Sequence, residues 1–285
     1  MKNKYIYIFI IIIFLIFIII QKIKENKQKI EDNKKKIENE KPKIENLPNL
    51  SNRFKIENEK IIHILITRYK ETDINIVLKP FINKKNTTIF IYNKGNDKPF
   101  GISNNIKNIN IIKIPNLGWD AYGFLYHIIN NYDNLPDYIY TFHASVQYLN
   151  HKYDVFKDIL DKQHDDKYYY GGPQYTSNLT FSLDNWSAST EINKLSDNES
   201  EKYSISSIRP LNKWLLTKIN KIPDFALDYK NNQLKCNFFG MFFVHKSRIL
   251  KYPITFYINL LNEISVWQSE VNHYLERSWY LLYGE

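Results

Sequence analysis

Cysteine is nearly absent from this chain of 285 residues: Cys236, in "LKCNFFG", is the only one. A lone cysteine excludes an intramolecular disulfide, and no Cys/His spacing suited to structural zinc occurs. Its setting between a polar loop and an apolar strand predicts a small buried apolar residue rather than a nucleophile. A phosphate-binding glycine loop of the required spacing is also missing, as is a Ser/His/Asp arrangement, so nucleotidase and hydrolase readings rank low. No internal repeat is present.

Basic charge is scarce where a nucleic-acid-binding face would need it. The formal charge of +9 comes mostly from residues 1–60, where 14 Lys/Arg stand against 8 Asp/Glu; that net of +6 leaves +3 for the rest. A folded nucleic-acid-binding surface is therefore poorly supported. Hydrophobic residues make up 44% and aromatic residues 15% of the chain, enough for one medium-sized core.

One long apolar run is present. Residues 5–20, "YIYIFIIIIFLIFIII", carry no charge, and a helix of that length is short for a hydrocarbon core of about 30 Å, although Lys4 and Lys22 can snorkel. A single membrane-spanning signal anchor is expected, because no small-residue cleavage site follows. The lysines after the run favour a cytoplasmic domain. Sequons at Asn86, Asn178, Asn185 and Asn198 suit a lumenal one. Residues 21–59 read as a charged stalk or linker. Ile23, Ile30, Ile37 and Ile44 recur every seven residues, half of a coiled-coil seam, which leaves open weak self-association or a solvated linker, with Pro42 interrupting the last heptad.

From Lys60 the pattern becomes that of an α/β domain, residues 60–285. "KIIHILITRYKETDINIVLKPF" gives a strand and an amphipathic stretch; "TTIFIYNKGND" and "IKNINIIKIPN" give two more strands. A helix beginning near Asp120 places Ala121, Phe124, Leu125, Ile128 and Ile129 on one face, and "DYIYTFHAS" supplies a fourth strand. A mostly parallel sheet flanked by helices, Rossmann-like, is expected. The segment "NLTFSLDNWSASTEINKLSDNESEKYS" reads as an inserted loop region. "NFFGMFFVHKSRIL" reads as a buried strand, and two closing helices follow, the last with Val271, Tyr274, Leu275, Ser278, Trp279 and Leu282 on one face.

In such sheets ligands collect at the carboxyl ends of the strands. Those ends carry Arg68 and Glu71, then Asn93 and Lys94, then the turn Asn116 to Asp120 with Gly118, then His143. Each has a structural alternative. Asp120 is placed to cap its helix, Gly118 to permit a positive φ, Arg68 and Glu71 to pair with each other, Lys94 to be an exposed turn lysine, and His143 to be a satisfied buried histidine. His63 and His127 read as structural, and Asp165 with Asp166 as solvated loop. Glu276 and Arg277 are placed to brace the last helix, and His151 to fold over the strand ends.

The blocks "ITRYKETD", "IYNKG", "PNLGWDAYGFLYHIINNYDNLPDYIYTFHAS" and "GMFFVHKSRILKYPITFYINLLNEI", with "YLERSWYLLYGE", resemble the domain of unknown function 3431 family over roughly residues 60–285. The Asn-x-Gly-x-Asp turn, followed by a strand ending in His, also resembles GT-A-type glycosyltransferases of the rhamnan-synthesis kind. That second resemblance implies a nucleotide-diphosphate-sugar donor site formed by Arg68, Glu71, Asn93, Lys94, Asn116, Gly118 and Asp120, and a glycan or protein acceptor. It also implies a lumenal domain, His143 acting on phosphate or sharing a metal with Asp120, and Glu276 as catalytic base. Where that family carries an Asp-x-Asp metal clamp this chain has "FHAS", which leaves divalent-metal dependence open. A non-catalytic binding protein on the same scaffold is the alternative.

Overall fold

The computed structural model describes Gln21, Lys24, Phe54 and residues 59–97, 100–102, 106–162, 168–185 and 203–284. The apolar run 5–20, the isoleucine heptads of the stalk, Asn198, and Asp165 with Asp166 lie outside the described residues.

Six strands form the main sheet in the order β3-β2-β1-β4-β9-β5. They are β1 (Ile62–Arg68), β2 (Thr87–Asn93), β3 (Ile109–Lys113), β4 (Tyr138–His143), β5 (Tyr169–Tyr170) and β9 (Phe242–His245). The first four are parallel, with Ile64 opposite both Ile89 and Tyr140. A second, antiparallel sheet joins β6 (Tyr175–Asn178), β8 (Gln233–Cys236) and β7 (Leu227–Asp228). The period of two along β1 sorts its side chains into two cores. Ile62, Ile64 and Ile66 face one side with Phe54, Phe81 and Phe156, while Leu65 faces the other with Phe124, Trp279 and Tyr283. Burial on both faces makes β1 a nearly continuous apolar run.

Helices cover both faces: α1 (Asn75–Leu78) and α3 (Asn150–Lys162) on the Phe156 side, with α2 (Trp119–Asn131), α4 (Leu211–Ile219), α6 (Ile254–Ile264) and α7 (Val271–Tyr283) on the other. The four-residue α5 (Lys246–Ile249) follows β9. The face expected on the last helix is buried in full, and Asn272, His273 and Arg277 are buried with it, so α7 is enclosed nearly all round. Glu270, just before α7, is fully buried. Its carboxylate accepts from the amides of Leu183 (2.9 Å) and Ser206 (2.9 Å), from Arg209 Nε and from the Tyr274 hydroxyl, tying both described ends of the inserted loop to the core.

The expected architecture, a mostly parallel helix-flanked sheet behind a transmembrane helix, is corrected here. The sheet is mixed, because β9 runs antiparallel to β4, Thr141 pairing with Phe242 and Tyr138 with His245. The cause is the turn before β9. It delivers Phe239 to the carboxyl end of β4, against His143, so the chain can only run back along β4. Among the described residues no helix is long and apolar enough to cross a membrane. The amphipathic stretch after β1 shrinks to α1, since Pro80 closely follows and lacks the N–H to continue it.

Candidate active site

The chain leaves β1 for β2 and β3 on one side and for β4 on the other, so a topological switch point falls between β1 and β4. A cleft of about 360 Å³ opens there. Glu71, Asp120 and Glu276 bring carboxylates to it, and Lys94, Lys152 and His143 bring nitrogen bases. A larger cleft of about 460 Å³, walled by Tyr168, Tyr169, Tyr170 and Tyr280, shares no lining residue with it, and Arg248 is its only charged one. Carboxylates, lysines and a histidine from separate elements meet only in the smaller cleft of these two.

Asp120 does not cap its helix. The cap of α2 is Gly118, held left-handed at φ 59, and Asp120 enters in the first turn. Its Oδ2 lies 3.1 Å from His143 Nδ1, at the end of β4. The other ring nitrogen, His143 Nε2, meets the Phe239 carbonyl. Both nitrogens thus face oxygen acceptors, an arrangement that a protonated ring would satisfy. Burial pulls the His143 pKa below its ordinary value, against the opposing pull of Asp120. The Phe239 amide in turn donates to Glu276 Oε1 at 2.8 Å. Burial raises the Glu276 pKa, opposed by that amide and by Arg277, whose Nη1 is 3.8 Å from Oε2. Glu276 borders the cleft, and its carboxylate has a raised affinity for a proton, as a general base needs.

The turn from Asn116 is fixed from below by Lys94. Its ammonium donates to the carbonyls of Leu117 and Trp119 and lies 5.5 Å from the centre of the Tyr122 ring. Lys94 is buried, not an exposed turn lysine, and burial lowers its pKa to about 8, with Asp120 pulling the other way. Gly118 has no room for a side chain: a Cβ there would meet Ile264 Cδ1 at 2.7 Å. Asn116 and Trp119 line the cleft, and Trp119 leaves it open while its ring packs edge-on against His273.

Arg68 and Asn93 are brought near but not into the site. Arg68 is 1% exposed, and its guanidinium donates to Glu71 O (3.0 Å), Asn93 Oδ1 (2.8 Å) and both oxygens of Asn96, with Phe100 stacked at 4.5 Å. It builds the loop after β2 rather than facing a ligand, and its contact with residue 71 is to the main chain. The Glu71 carboxylate instead accepts from the Tyr69 amide at 2.7 Å and borders the cleft.

Several cleft residues escape sequence reasoning: Tyr69, Ser145, Lys152 and Phe239. Lys152 sits in the first turn of α3, with Nζ 3.3 Å from Ser145 Oγ, where its charge adds to the positive end of the helix. Phe239 adopts φ 74 before Gly240 at φ 59; the glycine signals a turn, but not which histidine the turn will meet. His151 does fold over this end, its ring 5.1 Å from that of Phe239. His63, half-buried, and the buried His127 form a hydrogen-bonded chain with Tyr92, at 3.0 and 2.7 Å, and none of the three lines the cleft. Cys236 is fully buried and burial pushes its thiol up to about 12. Among the described residues no three His, Cys, Asp or Glu side chains gather as a metal-binding group.

No family model, no curated protein sequence and no solved structure matches the chain. The chemistry of the cleft is therefore the ground for any functional reading.

Proposed function

We propose that the chain is a glycosyl-transfer enzyme using a nucleotide-diphosphate sugar as donor, with its site in the cleft between β1 and β4. The observation that carries this is the meeting of Asp120, His143 and Glu276, from α2, β4 and α7, around one open cavity at the switch point. In the reaction the acceptor oxygen bonds to the anomeric carbon, and the bond from that carbon to the diphosphate oxygen breaks with its electron pair. Glu276 takes the acceptor's proton. Lys152, at the start of α3, faces the charge gathering on the diphosphate. The Asp120–His143 pair lies within the same cleft, where the imidazole can pass a proton to the leaving oxygen. Gly118, Lys94 and Arg68 act indirectly by holding the two loops in place.

The test is calorimetric binding of a nucleotide-diphosphate panel to the full-length chain, with and without manganese, for the wild type and Asp120→Asn. Micromolar binding, about −8 kcal/mol, that weakens at least about tenfold in the variant at unchanged melting temperature is the expected result. Unchanged stability is expected because Gly118, not Asp120, caps the start of the helix, and the Asn carboxamide has the size of the carboxylate and keeps an oxygen for His143. Folded protein that binds no nucleotide diphosphate refutes the donor site. Binding without turnover of any sugar nucleotide gives the non-catalytic alternative its ground.

A further inference from the structure

Asn272, Glu276 and Trp279 stand at i, i+4 and i+7 on α7, so they share one helix face. Across from them is the first turn of α2, with Trp119, Asp120 and Ala121. Between the two helices is a recess of about 30 Å³, edged by Gly240. Trp119, Asp120 and Glu276 border both this recess and the main cleft, so the two are neighbours.

The Asn272 side chain is 2% exposed, and neither its oxygen nor its nitrogen has a hydrogen-bond partner. Three buried polar groups close to it on the same segment are satisfied: Glu270 four times over, Arg277 by Ser177 Oγ and His273 O, Ser278 by Tyr274 O. A buried carboxamide with unused donors and acceptors, where leucine has the same branched shape, is anomalous unless a water or a ligand completes it. Water alone needs at least about 10–15 Å³, so the recess admits one hydroxyl or hydroxymethyl group and excludes a sugar ring. Two tryptophans beside an amide suit the apolar and polar faces of a carbohydrate.

We infer that the recess is a specificity subsite in which Asn272 grips a hydroxymethyl group of a sugar acceptor, while the ring lies in the main cleft beside Glu276. The assignment of that sugar as acceptor rests on the glycosyl-transfer reading; the capture of a hydroxymethyl group does not.

The test titrates the methyl glycosides of glucose, galactose and mannose, each against the deoxy analogue lacking the hydroxymethyl oxygen, into the full-length chain. Quenching of tryptophan fluorescence is the readout, and nucleotide-diphosphate binding is measured on the same samples. Wild type is expected to prefer at least one hydroxymethyl glycoside by about tenfold or more, as sites built to hydrogen-bond a hydroxyl do. Asn272→Leu is expected to reduce that preference to within about twofold while leaving nucleotide binding intact. Its melting temperature should equal or exceed wild type, because it removes a buried unpaired amide. Asn272→Ser, which keeps a hydroxyl but reaches less far, should give an intermediate preference. A preference unchanged in both variants, or no preference in the wild type, overturns the subsite and shows a recess that holds only water. Glycosides that bind without any nucleotide diphosphate refute the donor reading alone; the reverse pattern refutes the subsite alone.

Discussion

Lys94 offers the sharpest quantitative test of how this site is held together. It is buried at the end of β2, and its ammonium reaches the carbonyls of Leu117 and Trp119 across the cleft floor. Burial lowers its pKa from 10.5 to about 8. Between those two pH values the native state has released the proton and the unfolded chain still holds it, so native stability rises with pH. At about 1.4 kcal/mol per pH unit, the gap corresponds to about 3 kcal/mol. Stability is complete above pH 10.5 and is lost as the pH falls through about 8. Lys94→Met keeps the chain length, removes the titrating group and leaves two carbonyls without their donor. Urea unfolding of both proteins across this range should show the wild type gaining about 3 kcal/mol on the variant, with a constant difference below it. Taking the difference cancels the other lysines and the tyrosines. A constant difference throughout would mean that the two carbonyls keep the ammonium charged against the effect of burial, and the argument from desolvation would be wrong.

Two further outcomes follow from the same physics. His63 and His127 are lowered by burial to about 4 and about 3, so the stability they give is whole above the ordinary 6.5 and is lost as the pH falls through those values. Replacing both with Gln should flatten the acid limb of the unfolding profile between pH 6.5 and 4 by about 7 kcal/mol, about half from each ring, and an unchanged limb would refute it. Gly118→Ala forces a Cβ to 2.7 Å from Ile264 Cδ1 and 2.9 Å from Tyr122 Cβ at φ 59. A loss of about 2–4 kcal/mol is expected from backbone strain and overpacking together, read as a fall in the urea midpoint; a loss below about 0.5 kcal/mol, the level of a neutral surface change, would contradict the crowding.

The parts legible in the sequence are those with a strong period. β1, β2 and β4 show as apolar runs, α2 and α7 as helical faces, and the polar strand ends locate the cleft. Asp120, Lys94, Asn116, Glu71, His143 and Glu276 do line it. Arg68 misleads because an arginine at a strand end looks like an anion ligand until its donors are counted, and Asn96, which takes two of them, is an unremarkable turn residue in sequence. β6, "YTSN", is mostly polar, and β8, "QLKC", alternates over only four residues, too short a run to announce the second sheet. The reversal of β9 depends on where Phe239 lands after a loop of unrelated sequence, which no local pattern encodes. Glu270 is similarly silent: a carboxylate looks solvent-seeking until four donors from distant segments enclose it.

The backbone itself points to the same cleft. Apart from asparagines, which tolerate left-handed φ, the positive-φ residues other than glycine among those described are Trp119, Phe239 and Gln268. Trp119 and Phe239 are bulky aromatics, each is adjacent to a glycine, and both line the cleft. Each such conformation costs about 1–3 kcal/mol, and a chain selected for stability alone would place glycine at these positions too. What each delivers is specific. The Trp119 carbonyl receives Lys94 while its indole borders both cavities; the Phe239 peptide groups contact His143 on one side and Glu276 on the other. The two strained aromatic residues therefore sit beside Asp120, His143 and Glu276, the groups on which the proposed reaction rests.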